Sequence, residues 1–121
     1  MSLKVLIIDD DRSVRTGLVR VLRTRGYLAA SASNAEEALA AALRFRPDII
    51  VLDLMLPGQS GTELARAIRG EPDIAGVPII ALSASPWLVA ASDPLFKTVL
   101  TKPCRVNDLV QAITRAVSTD G

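Results

Sequence analysis

At 121 residues, half of them hydrophobic, the chain suits one compact domain around a single core. Fourteen basic residues against thirteen acidic ones leave a net charge of +1 with no block of like charge, which excludes the electrostatic footprint of a direct nucleic-acid or anionic-membrane binder. The lone cysteine, Cys104, excludes an internal disulfide, the absence of histidine excludes the usual zinc sites, and no apolar stretch nears the roughly 20 residues of a membrane span, so the expected setting is soluble, reducing and cytoplasmic with any metal held by oxygen.

The chain opens with KVLII (4–8), a short unbroken apolar run of the kind that forms a strand covered on both faces, and three carboxylates follow at once: Asp9, Asp10 and Asp11. Val14, Leu18, Val21 and Leu22 then share one helical face, so Asp11 reads as the cap of that helix and Gly26 as its left-handed stop. YLAASA (27–32) is the second strand; Asn34 with Glu37 has capping-box spacing and opens a helix whose apolar face is Ala35, Ala38, Leu39, Ala42 and Leu43. DIIVL (48–52) is the third strand and ends at Asp53. Ser60 with Glu63 opens the third helix, faced by Leu64, Ala67 and Ile68 and stopped at Gly70.

VPIIAL (77–82) is the fourth strand, ending at Ser83, and Ser85 with Pro86 reads as the cap and first-turn proline of a short fourth helix closed by Asp93 and Pro94. Trp87, Leu88 and Val89 are more apolar bulk than one face of so short a helix can hide, and they read either as core or as a partner or dimer surface. TVL (98–100) is the last strand and Lys102 stands just beyond it. Cys104 reads as a small buried filler, and Val106, Leu109, Val110, Ile113 and Val117 form the apolar face of the last helix.

Five repeats of strand then helix give an α/β fold, a doubly wound parallel sheet whose right-handed crossovers divide the helices between its two faces. Residues 1–121 form a single domain; the MetSerLeu start and SerThrAspGly end are equally the natural ends or the edges of a piece of a longer protein. In such a sheet ligands gather at the carboxyl ends of the strands, which brings Asp9, Asp10, Asp53, Ser83 and Lys102 to one rim. Crowded carboxylates raise one another's pKa and call for a cation, and a hard divalent ion such as magnesium takes one or two carboxylates together with a phosphate oxygen. A carboxylate nucleophile, a divalent ion, an ammonium and a hydroxyl together suit phosphoryl transfer, which depends mainly on positioning and charge neutralisation.

IIDDD, DLMLPG, LSA and TKP, in this order and spacing from Lys4 to about Val117, resemble the receiver domain of two-component response regulators. The resemblance implies a flavodoxin-like (βα)5 fold with strand order 2-1-3-4-5. It further implies Asp53 as phosphoacceptor, Asp10 and Asp53 as direct metal ligands with the backbone carbonyl of Met55, and Asp9 as a ligand through water. By the same resemblance Ser83 bonds the phosphoryl group, Ala84 is the small residue that keeps the aspartate accessible, Lys102 is the site lysine and the bond before Pro103 is cis. The implied cofactor is Mg2+, with Mn2+ as a substitute, and the implied donor is a histidine kinase or histidine phosphotransfer protein. The domain is then a phosphoacceptor that loses its phosphate by hydrolysis rather than an enzyme in the ordinary sense. A homodimer or output partner would engage the short fourth helix, the last strand and the last helix. Two departures fall on that output side: Val99 stands where the family carries an aromatic, and the stretch from Ser83 to Lys102 is about one helical turn short and lacks a GlyAla before the last strand.

Rival readings differ in testable residues. A haloacid-dehalogenase-like phosphatase needs an acid two residues after the nucleophile, where this chain has Met55. A flavin or dinucleotide binder needs a phosphate-cradling loop after the first strand, where AspAspAspArg repels phosphate. A pseudo-receiver, an interaction module that keeps the fold without phosphorylation, is opposed by the intact acidic set and lysine and favoured by Val99.

Overall fold

The computed structural model describes residues 2–89 and 94–118. Five parallel strands, β1 (Lys4–Ile8), β2 (Leu28–Ala32), β3 (Ile49–Asp53), β4 (Ile79–Ser83) and β5 (Thr98–Thr101), form one sheet in the order β2-β1-β3-β4-β5. Four α-helices are described: α1 (Arg12–Thr24), α2 (Ala35–Phe45), α3 (Gly61–Arg69) and α4 (Val106–Ser118). The doubly wound α/β architecture expected from the alternating runs is the one observed.

Alternation along the strands explains why both faces need helices. Leu6, Ile8, Ile50, Leu52 and Ile79 point to one side, where Ala38 and Ala42 of α2 and Leu64 and Ile68 of α3 cover them. Val5, Ile7, Ile49, Val51 and Ile80 point to the other, under Leu22 of α1 and Leu109 and Ile113 of α4. Each of these large aliphatic side chains contributes about 1.5–3 kcal/mol by leaving water, and truncating one such as Ile50 to alanine costs about 2–5 kcal/mol because the cavity does not collapse. The alanine-rich face of α2 lets that helix lie close to the sheet.

The helix starts follow local chemistry. Asp11 caps α1 by accepting from the Ser13 and Val14 amides at 2.9 and 3.2 Å. Asn34 and Ser60 cap α2 and α3 by accepting from the amides of Glu37 and Glu63 at 2.9 and 3.1 Å. The return bonds differ from a full capping box, since the Glu37 carboxylate takes the Ser33 amide and the Glu63 carboxylate takes the Ser60 hydroxyl.

The helix ends hold corrections. Gly26 does adopt a left-handed φ of 93°, but Gly70 has φ −80° and stays right-handed, its amide bonded to the Arg66 and Ala67 carbonyls, so the chain leaves α3 through further turns rather than a reversal. Among the described residues the other left-handed helix end belongs to Arg46 (φ 53°), whose guanidinium donates to the Leu43 carbonyl and to Asp73. Among the described residues the fourth repeat holds a single 3-10 turn, Pro86–Leu88, in place of the expected short helix. Ser85 makes no side-chain cap there; its amide instead donates to the Ser83 hydroxyl at 3.0 Å. Asp93, the expected stop, lies outside the described residues, and Pro94 sits in a turn. Trp87 is 76% exposed and Val89 half-buried, so the tryptophan is not core.

Candidate functional site

The strand order puts β1 beside β3 and β3 beside β4, so their carboxyl ends deliver Asp9, Asp53 and Ser83 to adjacent places on one rim. Asp53 and Ser83 are the last residues of their strands and both are buried, while Asp9 is fully buried just past β1 and Asp10 is exposed. One carboxylate oxygen each from Asp9, Asp10 and Asp53 lies within 4.8 Å of the others.

Lys102, just past β5, reaches across the rim to this group. Its Nζ donates to Asp53 Oδ2 at 2.9 Å and to Asp9 Oδ2 at 3.4 Å. The second oxygen of Asp53, Oδ1, accepts from the Met55 amide at 2.9 Å, which holds the carboxylate in one rotamer and brings the backbone of residue 55 alongside it. The Met55 side chain itself is 75% exposed. Burial pushes the Asp9 carboxyl above its ordinary value, and neighbouring Asp53 adds to this against the opposing pull of the Asp11 amide and Lys102. Burial alone would lower the lysine, yet its bond to Asp53 and the charges of both carboxylates outweigh that and hold Lys102 above its ordinary value.

One ammonium among three clustered carboxylates leaves negative charge in excess, and the donor set is all oxygen. It therefore fits a hard divalent cation such as magnesium held by Asp9, Asp10 and Asp53, with the Met55 backbone in reach of the same carboxylate. Asp11 stands apart, its carboxylate committed to the α1 cap. The Lys102–Pro103 peptide is cis. Ala84 is exposed beside Ser83, and Val99 lies in β5 opposite Ala81 of β4. Cys104 is half-buried, and burial with nearby Asp108 pushes its thiol up, away from the reactive thiolate.

Two residues of this neighbourhood went unread in the sequence. Arg15 donates from Nη1 to the Asp9 carbonyl at 2.9 Å, fixing the end of β1 from the end of the first turn of α1. Gly61, the first residue of α3, packs directly on the backbone of Asp53 and Leu54. The only signal for it was a glycine in the first turn of a well-capped helix, where an ordinary helix former would serve better.

The family model of the response regulator receiver domain matches residues 5–114. The DNA-binding response regulator MtrA of Mycobacterium tuberculosis is 40% identical over 84 residues, 69% of this chain and 36% of that protein. The response regulator MprA of the same species is 38% identical over 113 residues, 91% of this chain and 48% of that protein. The chain thus spans about a third to a half of the curated relatives it matches. Among solved structures, the chemotaxis response regulator CheY4 of Vibrio cholerae superimposes with a TM-score of 0.88 at 29% identity, covering 96% of this chain and 99% of that one. The receiver domain of sensor histidine kinase PA1611 from Pseudomonas aeruginosa, solved with a magnesium ion coordinated in its active-site cleft, gives 0.84 at 26% identity, covering 98% and 100%. With a family match over nearly its whole length and a superposition of this kind on a solved response regulator, the chain belongs to the response regulator receiver domains of two-component systems.

Proposed function

We propose that the domain accepts a phosphoryl group on Asp53 from a phosphohistidine of a histidine kinase or histidine phosphotransfer protein, changes its partner contacts, and then loses the group to water. The observation that carries this reading is the Asp53 carboxylate, buried and gripped by the Lys102 ammonium and the Met55 amide at 2.9 Å each beside two further carboxylates. A carboxylate held in one rotamer attacks without further loss of rotational freedom. An Asp53 oxygen forms the new P–O bond as the P–N bond to the imidazole breaks, the electron pair leaving on nitrogen. Lys102 stabilises the negative charge on the transferring group, and Ser83, with its hydroxyl at the neighbouring strand end, donates to it afterwards. Magnesium, when bound, would supply the divalent charge that offsets the crowded carboxylates and phosphoryl oxygens; Asp10, Asp53 and the Met55 carbonyl would hold it directly and Asp9 through water, and manganese would serve in its place. Hydrolysis reverses the bond, a water oxygen taking the phosphorus while the Asp53 carboxylate leaves.

The domain on this reading is a cytoplasmic phosphoacceptor with weak self-phosphorylation from small donors rather than an enzyme. Among the described residues no helix is long and apolar enough to cross a membrane. A homodimer or an output partner would engage the Pro86–Leu88 turn, the outer edge of β5 and α4. Incubation with magnesium and acetyl phosphate is expected to add one phosphate, and Asp53→Ala to abolish it while the fold persists. Absence of label on the parent protein would favour the pseudo-receiver instead, the reading that Val99 in place of an aromatic supports.

A further inference from the structure

We propose that Gly61 is a positioning residue for the acceptor carboxylate, because α3 is seated directly on the backbone that carries Asp53. A β-carbon at position 61 would stand 2.6 Å from Leu54 Cα and 2.9 Å from the Asp53 carbonyl oxygen, with Leu54 Cδ2 also at 2.9 Å. Two of these three neighbours are backbone, so no rotamer change relieves the contact and either α3 or residues 53–54 must move. The Gly61 amide also donates to the Leu54 carbonyl at 2.9 Å, and the Leu54 amide to the Leu82 carbonyl at 3.1 Å, which ties the helix start, the end of β3 and the end of β4 into one rigid joint. Conformational freedom is not the reason for glycine here, since the left-handed residue of this loop is Gly58 (φ 79°) and not Gly61. The reason is close approach: the helix start acts as a stop against which the Asp53 main chain rests, and the bonds to Lys102 and Met55 then orient the carboxylate from that fixed base.

This rests on the phosphoacceptor reading above, and the test keeps the two apart. Gly61→Ala is compared with Gly26→Ala, which places a methyl in open space at a left-handed position at the opposite end of the sheet and so lowers stability without touching the site. Both are made in a Gly17→Ala background, where an added methyl on α1 also meets nothing within 4 Å and favours the helix, so that the variants remain folded. Displacing the nucleophile by part of an ångström should slow labelling by acetyl phosphate at least about tenfold in the Gly61 variant. The Gly26 variant should keep the background rate. Adding Leu54→Ala to the Gly61 variant should not restore the rate, because the obstructing atoms are main chain. Equal rates in the Gly61 and Gly26 variants, or recovery on truncating Leu54, would overturn the positioning role; a background protein that takes no label at all would instead overturn the phosphoacceptor reading, and the role with it.

Discussion

Replacing Lys102 by alanine tests the electrostatics of the site more directly than removing any one acid. Coulomb's law at an effective dielectric of about 20 gives attractions of about 6 kcal/mol to Asp53 at 2.9 Å and about 5 kcal/mol to Asp9 at 3.4 Å. These are gross terms. The ammonium gave up hydration to reach the cluster, and its side chain is still 29% exposed, so water screens part of both. What remains is the loss expected when one partner of a buried ion pair is removed, about 3 kcal/mol, with two buried carboxylates left facing each other. For a domain of this size that lowers the melting temperature by roughly 10 °C. The measurement is thermal or urea unfolding at neutral pH in chelator and again in magnesium. With a like charge gone, the variant should gain more from magnesium than the parent does; an ion at about 100 times its dissociation constant adds about 2.7 kcal/mol and would restore most of the deficit. A variant as stable as the parent in chelator, or one that gains no more from magnesium, would refute the account of Lys102 as the internal counter-charge.

Asp10→Asn should weaken magnesium binding far more than Asp11→Asn, whose carboxylate is committed to the helix cap; equal losses in a titration would remove that distinction. Asp9 gives a pH dependence with a definite sign: its folded pKa is raised above the ordinary 3.8, so the folded state holds the proton longer than the unfolded state does. In chelator its contribution to stability is present in full below 3.8 and is lost as pH rises through the raised value, and Asp9→Asn should flatten that fall in a series of urea titrations. Ser83 holds the Ser85 amide next to the Pro86–Leu88 turn, so drawing its hydroxyl toward a phosphoryl mimic must disturb the loop that carries exposed Trp87. Magnesium with beryllium fluoride should therefore change tryptophan emission, and Ser83→Ala should blunt the change while the mimic still binds; unaltered emission together with unaltered hydrogen exchange over 84–89 would mean the signal leaves by another route.

The strands and helix starts were legible because their signals are local. Five apolar runs, each closed by a polar residue, could only be buried as strands of a covered sheet, and Asp11, Asn34 and Ser60 announce helices through bonds to amides two or three residues away. Helix ends were less legible. Gly70 and Arg46 exchange the conformations their residue types suggest, because the path of the chain after each helix is set by what it must reach next.

The same limit separates the parts of the site. Residue pattern alone places Asp9, Asp10, Asp53, Ser83 and Lys102 at the ends of strands, and so at one rim, but it contains no strand order; that came from the resemblance of four motifs to a known family. Only the folded sheet sets β1 against β3, brings the three carboxylates within 4.8 Å, and lets Lys102 reach past β4 to both Asp53 and Asp9. The arginine on the Asp9 carbonyl and the glycine beneath Asp53 are invisible for the same reason. Periodicity and capping report a residue's relation to neighbours within a turn or a strand, whereas close approach between main chains is decided by how whole elements pack, and no local pattern records it.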